Sequence, residues 1–280
     1  MESFIGVDIG GTKITAINMK NHETQKHAKN DTGAERPLQE IMESLFATIK
    51  EVWTDNVKAI GIGVPGILDV DQGIIISINN IKSFTGLELK SEVEKKFGVP
   101  VYVNNDANCF ALSEAFFGAG VGYKNIVGIT LGTGLGGGVV INSKVYSGNL
   151  GAAGEFGCIP YLDSTFEEYC GSRFFVNNYQ KTGEELYDLA ESGDTDALKA
   201  FDTFGHHLGK LITHVMFFIA PQAVIIGGSI SSAFKYFKPA LDKMLDEFSI
   251  PVIAEHVKIY PAELKDSGVL GAAALAISSS

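Results

Sequence analysis

Cysteine is scarce in this chain of 280 residues. Three thiols, Cys109, Cys158 and Cys170, are too few for a disulfide framework and suit a reducing compartment. Positive charge is scarce as well: 22 Lys and Arg stand against 33 Asp and Glu, a net charge of −11. That balance argues against nucleic acid or an anionic membrane surface as the main partner. A basic opening segment is missing, and MESFIGVDIG runs straight into the first motif, so no signal peptide is expected and the chain is placed in the cytoplasm. Long apolar runs are missing too. The richest one, LITHVMFFIAPQAVIIGG, is broken by His214, Pro221 and Gln222, and reads as a buried helix leading into a buried strand. What remains, 45% apolar and 20% charged, is ordinary for a globular protein with real cores, and the length suits two modest domains.

Glycine, by contrast, is concentrated. Residues 126–141, IVGITLGTGLGGGVVI, read as a strand, a glycine-dense turn and a second strand. Residues 4–12, FIGVDIGGT, echo the start of that stretch: Gly6 aligns with Gly128, Asp8 with Thr130 and Gly10 with Gly132. Two such units imply a duplicated domain with its two turns facing each other. Successive N–H groups in glycine turns form a concavity suited to phosphate. Gly132, Gly134 and Gly137 also satisfy the dinucleotide fingerprint, but GGGVVIN continues as a strand where that motif opens a helix. The spacing from Gly6 to Gly11 is that of a P-loop, but Thr12-Lys13 reverses the lysine and hydroxyl, and ITAI follows as a strand. The plain alternative is a pair of hairpin turns with no ligand.

The rest of the chain alternates strand and helix. Residues 14–19 form a strand, 22–36 a polar surface hairpin, and 38–53 a helix with apolar residues at helical spacing. A buried strand over 58–64 ends in the turn GVPG, where open α/β sheets bind ligands. A loop over 79–86, a helix over 87–97 and a strand over 99–103 deliver the run NNDAN at residues 104–108. Asp106 at this strand end is placed for chemistry; the competing role is an N-cap for a helix over 107–117, and the two are compatible. Glu155 lies in a small-residue loop, 148–157, where a ligand contact is more natural than a solvated glutamate. Acidic surface helices over 184–200, a long helix over 201–219, a strand over 223–226 ending in Gly227-Gly228, and an Ala-rich helix over 268–277 complete the reading.

These motifs in this order resemble the ROK family of sugar kinases and repressors: DIGGTK (8–13), GVPG (63–66), NNDAN (104–108), LGTGLGGG (131–138), GEFG (154–157), IIGGSIS (225–231) and GVLGAAALA (268–276). The resemblance implies an α/β fold of duplicated actin/hexokinase-like ATPase domains with a cleft between them. One domain would span 1–107 plus a C-terminal helix at about 266–280, the other 108–265. It implies ATP and Mg²⁺ as cofactors and ATP-dependent phosphorylation of a hexose or N-acetylhexosamine at the 6-hydroxyl. Asp8 would face Mg²⁺ through water. Gly10, Gly11, Thr12 and Lys13, with Thr130, Gly132, Thr133 and Gly134, would hold the phosphates, and Gly227 and Gly228 would pass close to adenosine. Asp106 would be the general base. Asn105, Glu155 and Glu167 would bind sugar hydroxyls, with Asn80 in the sugar-side loop and Phe84 where the family often has tryptophan. A homodimer binding only small molecules is implied.

Two departures stand out. Cys158 occupies the place of the family histidine in the sugar pocket, and residues 159–172 offer only Cys170 where zinc-binding members carry three cysteines. With two sulfur ligands at most, no structural zinc site is expected. The rival functions are a sugar-responsive regulator, which would carry a DNA-binding segment ahead of Asp8, and a catalytically weak sugar-binding protein.

Overall fold

The computed structural model describes residues 2–280. Two sheets of five strands share one topology. The first comprises β1 (Ser3–Ile9), β2 (Lys13–Lys20), β3 (Glu23–Asp31), β4 (Val57–Val64) and β7 (Val101–Asn105), in the order β3-β2-β1-β4-β7. Between these strands lie α1 (Leu38–Val52), a small hairpin of β5 (Ile67–Asp69) and β6 (Ile74–Ser77), and α2 (Leu89–Phe97). The second sheet comprises β8 (Ile126–Leu131), β9 (Leu135–Ile141), β10 (Lys144–Val145), β13 (Ala223–Gly227) and β14 (Lys258–Pro261), in the order β10-β9-β8-β13-β14. In each, three antiparallel strands lead and two parallel ones follow on the other side of the first strand. The duplication expected from the glycine echo is therefore present strand by strand.

The first sheet buries Ile5, Val7, Ile60 and Ile62 against α1 and α2, on a core that includes Leu45, Ile49 and Phe84. The second packs on a larger layer: α4 (Phe166–Cys170), α5 (Ser172–Tyr179), α6 (Gly183–Glu191), α7 (Thr195–Phe218) and α8 (Phe234–Asp246), joined by a hairpin of β11 (Pro160–Tyr161) and β12 (Ser164–Thr165) and by α9 (Pro251–His256). Both parallel strand sets are covered on two faces, as such sheets require. The other faces are covered by exchange. Helix α3 (Asp106–Phe117) leaves the first sheet and packs on β8 and β9, while α10 (Ser267–Ser279) leaves the second and packs on β1 and β4. The two helices also pack against each other.

Several boundaries move. The polar stretch 22–36 is largely β3, paired residue by residue with β2 at the edge of the sheet. The long helix begins at Thr195, not 201, because Asp194 caps it, accepting the N–H groups of Asp196 and Ala197. The acidic segment ahead of it is one helix, α6, closed by a capping box between Thr182 and Glu185. Asp106 is not the cap of α3. Asn105 is, its side chain accepting the N–H of Ala107 at 2.9 Å.

Candidate active site

Both glycine turns sit at corresponding strand ends. In the first, the N–H of Gly10 bonds to Lys13 O at 2.9 Å, and Thr32 fastens the turn twice: its N–H donates to Thr12 O at 2.9 Å and its hydroxyl to Gly10 O at 2.6 Å. Thr12 and Lys13 are exposed. In the second, the N–H of Gly132 bonds to Gly134 O at 3.0 Å, and the N–H of Ser172 closes on Gly132 O at 2.8 Å. Thr133 is exposed on that turn, and Thr130 lies beneath it on β8.

Asp106, the first residue of α3, is exposed where β7 ends. It is close enough to Asp8 to raise that group's pKa, and a Cβ placed on Gly136, beside Thr130, would lie 3.2 Å from the Cβ of Ala107. Its Oδ1 accepts the N–H of Ala107 at 2.8 Å. Loss of hydration around its carboxyl raises its pKa from the ordinary carboxylate value. Asp8 is pushed up to about 6, first by burial and then by the charges of Asp106 and Asp266. Its carboxylate lies 3.0–3.1 Å from a Cβ placed on Gly268 and accepts no hydrogen bond among the described residues. A half-buried carboxylate with unused lone pairs beside two other acids is a fitting anchor for a divalent cation. Mg²⁺ typically needs only one or two protein carboxylates, with water and phosphate completing its shell. Among the described residues no group of three or more His, Cys, Asp or Glu is arranged around a metal position.

Asn105 is already committed: besides capping α3, its Nδ2 donates to Gly66 O at 3.0 Å and so holds the GVPG turn. One amide hydrogen remains for a ligand. Its neighbour Asn104, unremarked in the sequence, bonds through Nδ2 to the Ser147 hydroxyl at 3.0 Å, tying β7 to the loop that leads toward Glu155. Glu155, Cys158 and Glu167 do come together. The Cys158 thiol is 3.8 Å from Glu155 Oε2, and burial with the charges of Glu155 and Glu167 raises its pKa. Asn80 packs against Gly11, 3.3 Å from a Cβ placed there, and the two line an open groove with Thr12, Asp31 and Arg36. Phe84 is wholly buried in the first core and faces no groove.

Glu167 holds more than the sequence suggested. Its Oε2 accepts the N–H of Leu135 at 3.1 Å, bracing the second turn, and its Oε1 pairs with Arg173 Nη2 at 2.7 Å. Arg173 also reaches Glu168 at 2.9 Å. No motif pointed to Arg173, although the chain has only one other arginine, Arg36, and that rarity was a usable signal.

Gly228 has φ +86°, and a Cβ on it would come within 2.6 Å of Leu131 N, so only glycine fits. Past it, a cavity of about 530 Å³ opens between Ser229–Ala233 and the helices α5 and α6, lined by Ser172, Glu184, Tyr187 and Ile230 among others. Its floor residue Ser229 is 4.0 Å from a Cβ placed on Gly132, so the cavity adjoins the second turn. Tyr187 escaped the sequence reading because α6 looked like a solvated acidic surface.

In the region of the expected missing zinc motif, Tyr161 of β11 stacks on Phe166 with centroids 4.1 Å apart and meets His207 Nδ1 at 3.0 Å. Burial holds His207 down to about 4. Cys170 is fully buried, and burial raises its thiol pKa, while Cys158 is exposed.

With this geometry in place, comparison with known proteins gives consistent relatives. The model of the ROK family matches residues 4–279. A glucokinase of Thermotoga maritima is 30% identical over 305 residues, covering 97% of this chain and 96% of the relative. An N-acetyl-D-glucosamine kinase of Aliivibrio salmonicida is 32% identical over 305 residues, covering 98% and 99%. A solved ROK family glucokinase from Streptomyces griseus, in complex with glucose and AMPPNP, has a TM-score of 0.79 at 29% identity, covering 99% of each chain.

Proposed function

The chain belongs to the ROK family, and from that premise we propose that it transfers the γ-phosphoryl group of ATP to the 6-hydroxyl of a hexose or N-acetylhexosamine. Its fold is the actin-like ATPase fold with two sheets. We divide it into lobes of 1–107 with 266–280, and 108–265, which meet at α3 and α10. The observation that carries the reading is the position of Asp106, an exposed carboxylate at a strand end, near Asp8 of the first turn and next to Ala107, which packs on Gly136 just past the second.

In this reading the two turns offer backbone N–H groups to the phosphates from either side, with the hydroxyls of Thr12 and Thr133 beside them. The cavity past Gly228 receives the adenosine, and Tyr187 offers it a flat face. Glu155, Cys158, Glu167, Asn80 and the free amide hydrogen of Asn105 orient the sugar. As the sugar oxygen forms its bond to the γ-phosphorus, its proton passes to Asp106 and the bond to the β,γ-bridging oxygen breaks, releasing ADP. A carboxylate with a raised pKa holds that proton better than an ordinary one. Mg²⁺, held at Asp8 through water, would neutralise charge on the phosphates. Alignment and charge stabilisation account for most of what such a transfer asks of a protein.

The reading is tested by coupled ADP release with ATP and glucose, mannose, fructose, N-acetylglucosamine or N-acetylmannosamine. Turnover of at least one is expected, and Asp106→Asn should lower it by about 10²- to 10⁴-fold while AMPPNP binding stays near wild type. An Asp106→Asn chain with near wild-type kcat would remove the base from Asp106 and leave only its place on the helix.

A further inference from the structure

The hairpin of β11 and β12 pairs only Pro160 with Thr165 and Tyr161 with Ser164. Two-stranded hairpins are marginal in water even when much longer. This one turns at Leu162, which is exposed and has φ +52°. Helix α4 follows at once and has five residues, too few for a helix to stand alone. Yet α4 carries Glu167, whose Oε2 accepts the N–H of Leu135 at the second glycine turn. Where Glu167 sits is therefore decided by what the hairpin and α4 are fastened to.

They are fastened to α7, by two histidines about two helical turns apart on one of its faces. His214 meets the ring of Phe166, with centroids 5.4 Å apart. His207 lies against the rings of Tyr161, Tyr169 and Phe174, with centroids at 5.6, 4.9 and 5.6 Å. One of these contacts is directional: the Tyr161 hydroxyl and His207 Nδ1 share a hydrogen bond at 3.0 Å. Burial holds the imidazole down to about 4 and raises the phenol, so both groups are neutral near pH 7 and the bond carries no charge. It fixes the ring of Tyr161, which stacks on Phe166 with 12° between the planes. Phe166 is wholly buried and immediately precedes Glu167. At the tip of the hairpin, Asp163 accepts the hydroxyl of Tyr169 and ties the turn to α4. Packing alone would be served by two phenylalanines. The polar pair instead desolvates an imidazole and a hydroxyl, and what it adds is direction. We propose that Tyr161 and His207 are positioning residues for the second glycine turn: their hydrogen bond seats α4 on α7 and so holds Glu167 where it braces Leu135. An effect on sugar and nucleotide rests on the kinase reading, whereas the bracing does not.

Hydrogen–deuterium exchange tests the bracing with no ligand present. Tyr161→Phe removes one oxygen and keeps the stack on Phe166. It should speed exchange of the Leu135 amide by about two- to tenfold, the worth of one neutral hydrogen bond. Two amides should stay unmoved: Gly10, bonded to Lys13 O in the first turn, and Ala262, bonded to Ile226 O beside the second sheet. His207→Phe should act as Tyr161→Phe does, and His207→Asn, whose amide stands near the place of Nδ1, should recover most of the loss. No change at Leu135, or equal changes at all three amides, would overturn the proposal. The phenylalanine variants should also weaken binding of AMPPNP, and of the sugar turned over fastest, by about two- to tenfold. In a Glu167→Ala background they should weaken neither by more than about twofold, because residues acting through Glu167 have nothing left to act on. A full second loss in the double variants would overturn the proposal. So would a lowered melting temperature with exchange at Leu135 and both affinities unmoved, the result expected of a merely structural pair. Should His207→Phe not fold, Tyr161→Phe carries both measurements. Failure of every sugar to turn over, with exchange at Leu135 responding as expected, would overturn the kinase reading and uphold the bracing.

Discussion

The turn at residues 10–12 is fastened from within its own sheet: Thr32, at the end of the neighbouring strand pair, holds it with one N–H and one hydroxyl. The turn at residues 132–134 is fastened from outside, by the N–H of Ser172 and by the carboxylate of Glu167, which Arg173 grips in turn. Beneath the first turn sits Asp8, and at the matching place beneath the second sits Thr130. Duplication supplied two similar cradles, and later change gave them different work. One became a fixed acidic seat. The other became a loop whose geometry depends on a glutamate that, in the proposed reading, also binds the sugar. The predictions below are ways to pull these two apart.

The largest effect should come from the strands themselves. A Cβ on Gly6 would lie 2.6 Å from the backbone N of Ala273 in α10, whereas one on Gly128 would lie 2.9 Å from Cα and Cβ of Ala111 in α3. Both positions meet helix backbone, and the shorter approach at Gly6 leaves its helix less room to shift. Gly6→Ala should therefore destabilise by about 3 kcal/mol or more and Gly128→Ala by about 1–2 kcal/mol, measured by urea unfolding. Equal losses would mean that the exchanged helices are seated equivalently.

Asp8 gives the next effect, because the second turn has no titrating counterpart. Its pKa is raised from 3.8 to about 6, so between those values the folded chain holds a proton that the unfolded chain releases. Stability without Mg²⁺ should fall as pH rises from about 4 to about 6, by up to about 3 kcal/mol at 1.36 kcal/mol per unit. Asp8→Asn should remove most of that slope. Kinase activity should run the other way, since in the proposed reading the charged form is the one that would hold Mg²⁺: kcat/KM should decline as pH falls below about 6. A stability profile as steep in Asp8→Asn as in wild type would place the proton elsewhere, on Asp106 or Glu114.

How much of this was legible beforehand follows from where the information sits. Strand, turn and duplication are local patterns, so the glycine echo predicted two sheets of like topology. Asp106 was legible because a carboxylate at a strand end is visible in one run of five residues. The clamps were not. Thr32 meets Gly10 across 22 positions, Glu167 meets Leu135 across 32, and Asn104 meets Ser147 across 43. Nothing in the residues at either end announces the other. The start of α7 was misjudged for a different reason: its first six residues, Thr195–Ala200, carry Leu198 as their one large apolar side chain, and only the Asp194 cap shows that the helix has begun.

A smaller effect separates the clamps. Thr32→Val removes a neutral hydrogen bond from the first turn, and should weaken AMPPNP binding by about two- to tenfold without altering sugar affinity. Glu167→Ala removes a charged acceptor from the second turn and a group from the sugar end together. It should weaken both ligands by about tenfold or more, and lessen the help each gives the other. Calorimetric titration of each ligand, with and without the other, reads this. If Glu167→Ala weakens the sugar alone, the Leu135 bond is incidental and the second turn holds itself.

The smallest effect should come from Cys158, beside Glu155 and Glu167. The family resemblance sets a histidine at this position, and a thiol is weak both as donor and as acceptor. A pocket that bonds a hydroxyl discriminates because losing that hydroxyl strands the partner, and a thiol strands little. The two glutamates remain and still accept hydrogen bonds, so binding should persist while selectivity at the sugar's C1–C2 edge relaxes. Cys158→His restores one donor or acceptor, worth about three- to tenfold in the ratio of kcat/KM for glucose to that for mannose. The attacked 6-hydroxyl should stay the same in both chains, because nothing near Asp106 changes. An unaltered glucose-to-mannose ratio would show that water or a neighbouring side chain already fills the place of the histidine.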